Sequence, residues 1–199
     1  MFLNNVNTLK QALALCLIGM IVLLGGCSRS QANTGLLRDD DLTSHEKLLG
    51  QPLYTVVKEL GFSEGQVTPC QEAGLWETGE KRRIADQEFE WFLLSDVATD
   101  LLYGYWYRYE GTDKVQVLDT ANQVLTEALE AYGQPTTYPG SLNRFSSLDE
   151  DTWNNAVKKG EIQDWYEEWS VGENTRCTLT LTVIDEDTAC VLIEYCLGY

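Results

Sequence analysis

The stretch Leu101–Tyr109 reads LLYGYWYRY. Successive side chains of a strand point to opposite faces of a sheet. Tyr103, Tyr105, Tyr107 and Tyr109 therefore share one face, and Leu102, Gly104, Trp106 and Arg108 share the other. The tyrosine face has two readings. It is a platform for a sugar ring or a peptide, since tyrosine offers a flat apolar surface and a hydroxyl. Or it is a half-buried strand packed under a helix, with its hydroxyls at the rim. Tyr103, Tyr105, Tyr107, Tyr109 and Trp106 are the candidate binding residues on the first reading.

Working outward, Glu88–Ser95 reads EFEWFLLS and places Phe89, Trp91 and Leu93 on one face. Ser95–Asp100 then reads as a hairpin loop between two antiparallel strands. An earlier strand is expected within Gln66–Arg83, where Gly74 and Gly79 blur its limits. Upstream, Leu53, Val56, Val57 and Leu60 recur at helical spacing, with Pro52 suited to the first turn and Gly61 to the stop. His45, the single histidine, precedes this helix and reads as a surface residue.

Downstream the pattern restarts. Thr120–Gln123 reads as a capping box with Asp119 as the alternative cap. Ala121, Val124, Leu125, Ala128 and Tyr132 make an inward stripe that ends at Gly133-Gln134-Pro135. A loop, Thr136–Ser147, leads to a short helix over Asp149–Lys159, with Lys158 and Lys159 opposing the C-terminal dipole and Gly160 as the stop. Three strands follow: Ile162–Val171, Arg176–Ile184 and Thr188–Leu197. The expected fold class is α+β: two successive helix-plus-antiparallel-strand halves, 42–110 and 115–199, with the sheet or sheets packed against helices. Helices ending in Gly or Gly-x-Pro and followed by Trp/Tyr-rich antiparallel strands resemble the tandem helix-plus-sheet modules of envelope proteins. Small lipoprotein assembly factors and β-lactamase-inhibitor proteins are of this kind, and the resemblance implies a binding module.

The other end of the chain carries an address. Gln11–Gly26 reads QALALCLIGMIVLLGG, with no charge between Lys10 and Arg29. That length suits a signal-peptide core and is short of the roughly 20 apolar residues of a spanning helix. The run closes on Leu24-Gly25-Gly26-Cys27, which resembles the lipobox of bacterial lipoproteins. The resemblance implies a diacylglyceryl group on the Cys27 thiol, cleavage before Cys27 and acylation of the new amine. Cys16 follows Leu15, too large for the same role. Two acyl chains, at about 0.8 kcal/mol per buried methylene, make a stable anchor. The expected organisation is a signal peptide over 1–26, a tether over 27–41 and an extracytoplasmic domain over 42–199, anchored to the cell membrane. Ser28 stands where family members retained at the inner membrane carry Asp, which implies outer-membrane placement in a cell that has one. Asp39-Asp40-Asp41, on the tether, reads as solvation or helix capping, because three consecutive side chains do not cage a cation.

Charge narrows the partners. Lys10 is the one basic residue of 14 before Cys27, and none of the 31 acids lies there. From Cys27 onward, 13 bases face 31 acids, a formal charge of −18. Such a surface argues against nucleic acid and anionic lipid as partners. The expected partners are the membrane, through the lipid on Cys27, and a protein, peptide or glycan.

Cys70, Cys177, Cys190 and Cys196 are disulfide candidates in an exported domain. Cys190 and Cys196 lie six residues apart on one strand, about 20 Å, and a bridge needs Cα atoms within about 7 Å. Cys177 and Cys190 are offset in the hairpin. Elimination leaves Cys177–Cys196 with Cys70–Cys190, although alternation sets Cys177 opposite Tyr195 and would require a bulge to bring in Cys196.

Catalytic motifs are not found. The sequence holds no Gly-x-Ser-x-Gly, phosphate loop, histidine–glutamate metal motif or Cys-x-x-Cys. No cofactor, metal ligand or catalytic residue is assigned. Glu88 with Glu90, Glu167 with Glu168, and Asp149 with Asp151 are carboxylate pairs, and a wall-acting hydrolase would need two carboxylates across a cleft. The expected function is a non-catalytic envelope binding module; a cell-wall hydrolase and a structural subunit of an envelope complex are the alternatives.

Overall fold

Seven strands hydrogen-bond into one antiparallel sheet in the order β1-β2-β3-β4-β7-β6-β5. The computed structural model describes residues 45–136 and 143–198. Cys27, the signal segment and the tether lie outside the described residues. The strands are β1 (Thr68–Pro69), β2 (Leu75–Ile84), β3 (Gln87–Ser95), β4 (Leu102–Gly111), β5 (Gln163–Ser170), β6 (Thr175–Val183) and β7 (Ala189–Leu197). Among the described residues three helices accompany them: α1 (Leu53–Glu59), α2 (Lys114–Tyr132) and α3 (Glu150–Lys159). The class is mixed α+β and predominantly sheet. Two meanders, β1–β4 and β5–β7, join where β4 pairs with β7, Tyr105 opposite Tyr195 and Tyr107 opposite Ile193.

The helices lie against one face of this sheet. Strand β6 shows why: Cys177, Leu179, Leu181 and Val183 are buried, while Arg176, Thr178, Thr180 and Thr182 between them are half-exposed. The buried set joins Trp91, Tyr105, Tyr107 and Ile193 in one apolar core with Val56 of α1, Val117, Ala121 and Val124 of α2, and Trp153 of α3. Alternation along strands and a stripe along helices thus meet in a two-layer packing.

Helix α2 starts earlier than the capping-box reading placed it. Asp113 is the cap, its side chain accepting hydrogen bonds from the amides of Val115 and Gln116 at 3.1 and 3.2 Å. Val117 extends the inward stripe by one turn, and the Thr120 hydroxyl donates to the Gln116 carbonyl instead of capping. Helix α3 ends as its sequence implies, with Gly160 in the left-handed region at φ 63°.

Both sheet edges are covered or interrupted. Along β5, the Thr136 amide donates to the Glu168 carbonyl and the Tyr166 amide donates to the Asn143 carbonyl. Along β2, the two residues of β1 pair only with Trp76 and Glu77. Beyond them a bulge at 77–81, with Gly79 at φ +71°, and the run Lys81-Arg82-Arg83 break the flat edge that another chain would pair with. Among the described residues no helix is long and apolar enough to cross a membrane.

Candidate functional site

The tyrosine face is core, not platform. Tyr105 and Tyr107 are 0% and 1% exposed, and Tyr103 and Tyr109 are half-buried. Tyr107 stacks on Trp91 with ring centroids 6.1 Å apart, and Tyr109 meets Phe89 at 5.6 Å. The Tyr105 hydroxyl donates to the His45 carbonyl at 3.0 Å, and burial pushes its pKa upward. His45 itself stacks on Trp91 at 5.5 Å, so the first described residues are packed down on the sheet. The physical reason is supply of apolar surface: three helices arrive on the tyrosine side and bury it.

Trp106 is the one expected binding residue that faces the other way. No described helix of the core packs on that face, and the registers lay its side chains out in four rows. The central row runs Glu77, Phe92, Trp106, Glu194, Thr178, Glu168 from β2 to β5. The second runs Lys81, Glu90, Arg108, Leu192, Thr180, Tyr166. The third includes Leu94, Gly104, Cys196 and Arg176, and the fourth Glu110, Cys190, Thr182 and Asp164. Phe92, Leu94, Cys190 and Cys196 are buried on this side without belonging to the core, because neighbouring side chains fold over them. Arg108 lies across the Phe92 ring at 5.1 Å.

Two features of this open face bear on binding. The half-buried Trp106 keeps its indole N–H out of water, and among the described residues no acceptor meets it, as for Trp91 in the core. A buried donor without a partner is costly and uncommon. Charge is the second feature. Arg108 donates from Nε and Nη2 to Glu90 at 3.1 and 2.8 Å, Lys81 lies 3.5 Å from Glu88, and Arg176 lies 3.6 Å from Glu168. Each base is thus matched by an acid of the same face. Where β2, β3 and β4 meet near Asp86 and Glu110, the side chains of Lys81, Glu88, Glu90 and Arg108 line a concavity of about 560 Å³.

The four domain cysteines are free thiols, and neither expected bridge is made. Cys177 points into the core opposite Tyr195, whereas Cys196 opposes Arg176 on the open face. No bulge brings them together. Cys70 follows β1 at the far edge, and β2, β3 and β4 lie between it and Cys190 of β7. That is four strand spacings of about 4.8 Å each. Burial pushes the thiols of Cys177 and Cys190 up to about 12 and that of Cys196 up to about 11. These are structural thiols with little thiolate at neutral pH.

Of the expected carboxylate pairs, Glu88 and Glu90 stay together in the concavity on the open face, whereas Glu167 and Glu168 separate. Glu167 is buried on the helix side, while Glu168 belongs to the open face. Asp149 caps α3, its hydrogen bonds from Thr152 holding its carboxyl below the ordinary range. Asp96 and Asp185 are held low in the same way by turn hydrogen bonds, from Thr99 and from Asp187 respectively. Among the described residues no three His, Cys, Asp or Glu side chains group to hold a metal ion. Comparison with known proteins finds no matching family, no matching curated protein and no matching solved structure.

Proposed function

We propose that this chain is a lipid-anchored extracytoplasmic binding module that uses the open face of its sheet to hold a protein, peptide or glycan. The observation that carries the reading is Trp106: a half-buried aromatic at the middle of a seven-stranded face on which no described helix packs. The two helix-plus-strand halves, 42–110 and 115–199, each lend strands to the same face, which supports reading them as one tandem module. Anchoring rests on Leu24-Gly25-Gly26-Cys27, with cleavage after 26, acylation of Cys27 and a tether over 27–41.

The test places a photoreactive residue at Thr180 on the open face or at Tyr54 on α1, in cells. Adducts are expected from position 180 and not from 54, and Trp106→Ala should abolish them. Adducts from 54 alone would refute the open-face reading. Cys27→Ala should lose labelling by a fatty-acid probe; labelling that persists would remove the anchor.

A further inference from the structure

The helix side of the molecule holds a second concavity, unrelated to the open face. It lies between α2 and α3, has a volume of about 400 Å³, and is closed beneath by the turn 145–147 that links them. Its inner wall is apolar: Leu118 and Leu148 are half-buried over the buried rings of Phe145 and Trp153. Val115 stands at the mouth with 70% of its surface exposed, an apolar side chain that no element of the fold covers. The rim is formed by Asp119 and Asn122 from α2 and by Asp149, Glu150 and Asn154 from α3. Among the described residues no basic side chain lines it. A concave apolar site of this size with a few convergent polar groups is what small ligands occupy.

The sign of the rim decides the ligand. The N-terminus of α3 opens here and by itself would favour an anion. That end is already occupied by the protein's own acids. Asp149 accepts from the Thr152 amide at 2.7 Å, and Glu150 and Asp151 follow in the first turn. An incoming anion would meet three carboxylates and no counter-charge. A neutral apolar molecule would fill the wall and leave the rim unused. We infer that the groove binds a small organic cation, a protonated amine carried on an aryl or branched aliphatic body, with the body on Leu118, Leu148 and Val115 and the ammonium between Asp119 and Glu150. The strongly acidic surface concentrates such cations near the site.

The experiment titrates the purified full chain with 2-phenylethylamine and follows backbone amide resonances of Leu118, Asp119 and Asn154. The neutral and anionic isosteres, 2-phenylethanol and phenylacetate, are titrated in parallel. The amine is expected to move these signals saturably, the alcohol more weakly and the acid least. The double variant Asp119→Asn, Glu150→Gln keeps the shape of the rim and removes two charges. It should bind the amine about fivefold more weakly, roughly 1 kcal/mol, with the rest of the spectrum unchanged. Equal binding of amine and alcohol, preference for the acid, unaltered affinity in the variant, or no movement at about 20 mM amine, where a millimolar site would be full, would each overturn the inference.

Discussion

Arg144→Ala removes the cation from the one fully buried carboxylate described in the fold. Glu167 is 1% exposed, on the helix side of the edge strand β5. Arg144 Nε donates to its two oxygens at 3.1 and 3.3 Å, Nη2 donates to Oε2, and the Ser146 amide donates to Oε1 at 2.9 Å. The clamp holds the turn at Phe145–Ser147 on the sheet, so it also holds the floor of the groove between α2 and α3. Leaving a buried charge without its partner costs about 3–5 kcal/mol. Arg144 is itself about a fifth exposed and the Ser146 amide stays, which lowers the expected loss to about 2–3 kcal/mol. pH supplies an independent check. Burial raises the Glu167 carboxyl, but the Arg144 and Ser146 hydrogen bonds outweigh it and hold the pKa below the ordinary carboxylate value. A folded pKa below the unfolded one stabilises above the ordinary value of about 4.3, and that contribution is lost as pH falls through the folded pKa. In the variant only the Ser146 hydrogen bonds oppose burial, so the folded pKa rises and less stability is lost as the carboxyl takes up a proton. Urea unfolding followed by tryptophan fluorescence should therefore show a gap of about 2–3 kcal/mol at neutral pH that narrows toward about pH 4. A gap under about 0.5 kcal/mol, or one that stays constant with pH, would refute the argument.

Two further outcomes follow from the same packing. Gly104→Ala puts a Cβ 2.8 Å from Cys196 Cβ and 2.9 Å from the Tyr195 carbonyl oxygen, so it should destabilise the domain by about 1–3 kcal/mol. The same unfolding assay reads this, and Cys196→Ala should not rescue it, because the obstructing carbonyl is backbone in the β4–β7 ladder. Alkylation of the domain over 42–199 under denaturing, non-reducing conditions should modify four thiols by mass; in the native state Cys70 should react first, because Cys177, Cys190 and Cys196 are buried.

Most elements were legible from residue spacing because they depend on local chemistry. The strands around 88–95, 101–109, 176–184 and 188–197 follow from alternation, and α1 and α3 follow from a stripe bounded by Gly61 and Gly160. The start of α2 was not: the sequence reading placed the cap at Thr120 or Asp119, whereas Asp113 caps the helix and the added turn carries Val117 into the core. The cysteine pairing failed for a related reason. Distance along a strand was read correctly, but a one-residue difference in register sends Cys196 to the face opposite Cys177, and no in-strand argument overrides that.

The nine residues Leu101–Tyr109 show where the division lies. Spacing alone determined that four tyrosines share one side and Trp106 with Arg108 share the other, since a strand's period is two. Spacing alone also set Cys27 behind Leu24-Gly25-Gly26 and the −18 charge behind it. Which side would be covered was decided only by the tertiary structure. Both faces of β4 are aromatic, so local composition does not rank them; α1, α2 and α3 bring their apolar stripes to the tyrosine side. The hydrophobic effect is proportional to the area removed from water and indifferent to direction. The choice of face therefore belongs to the helices that supply that area, and it leaves Trp106, not the tyrosines, at the centre of the surface offered to a partner.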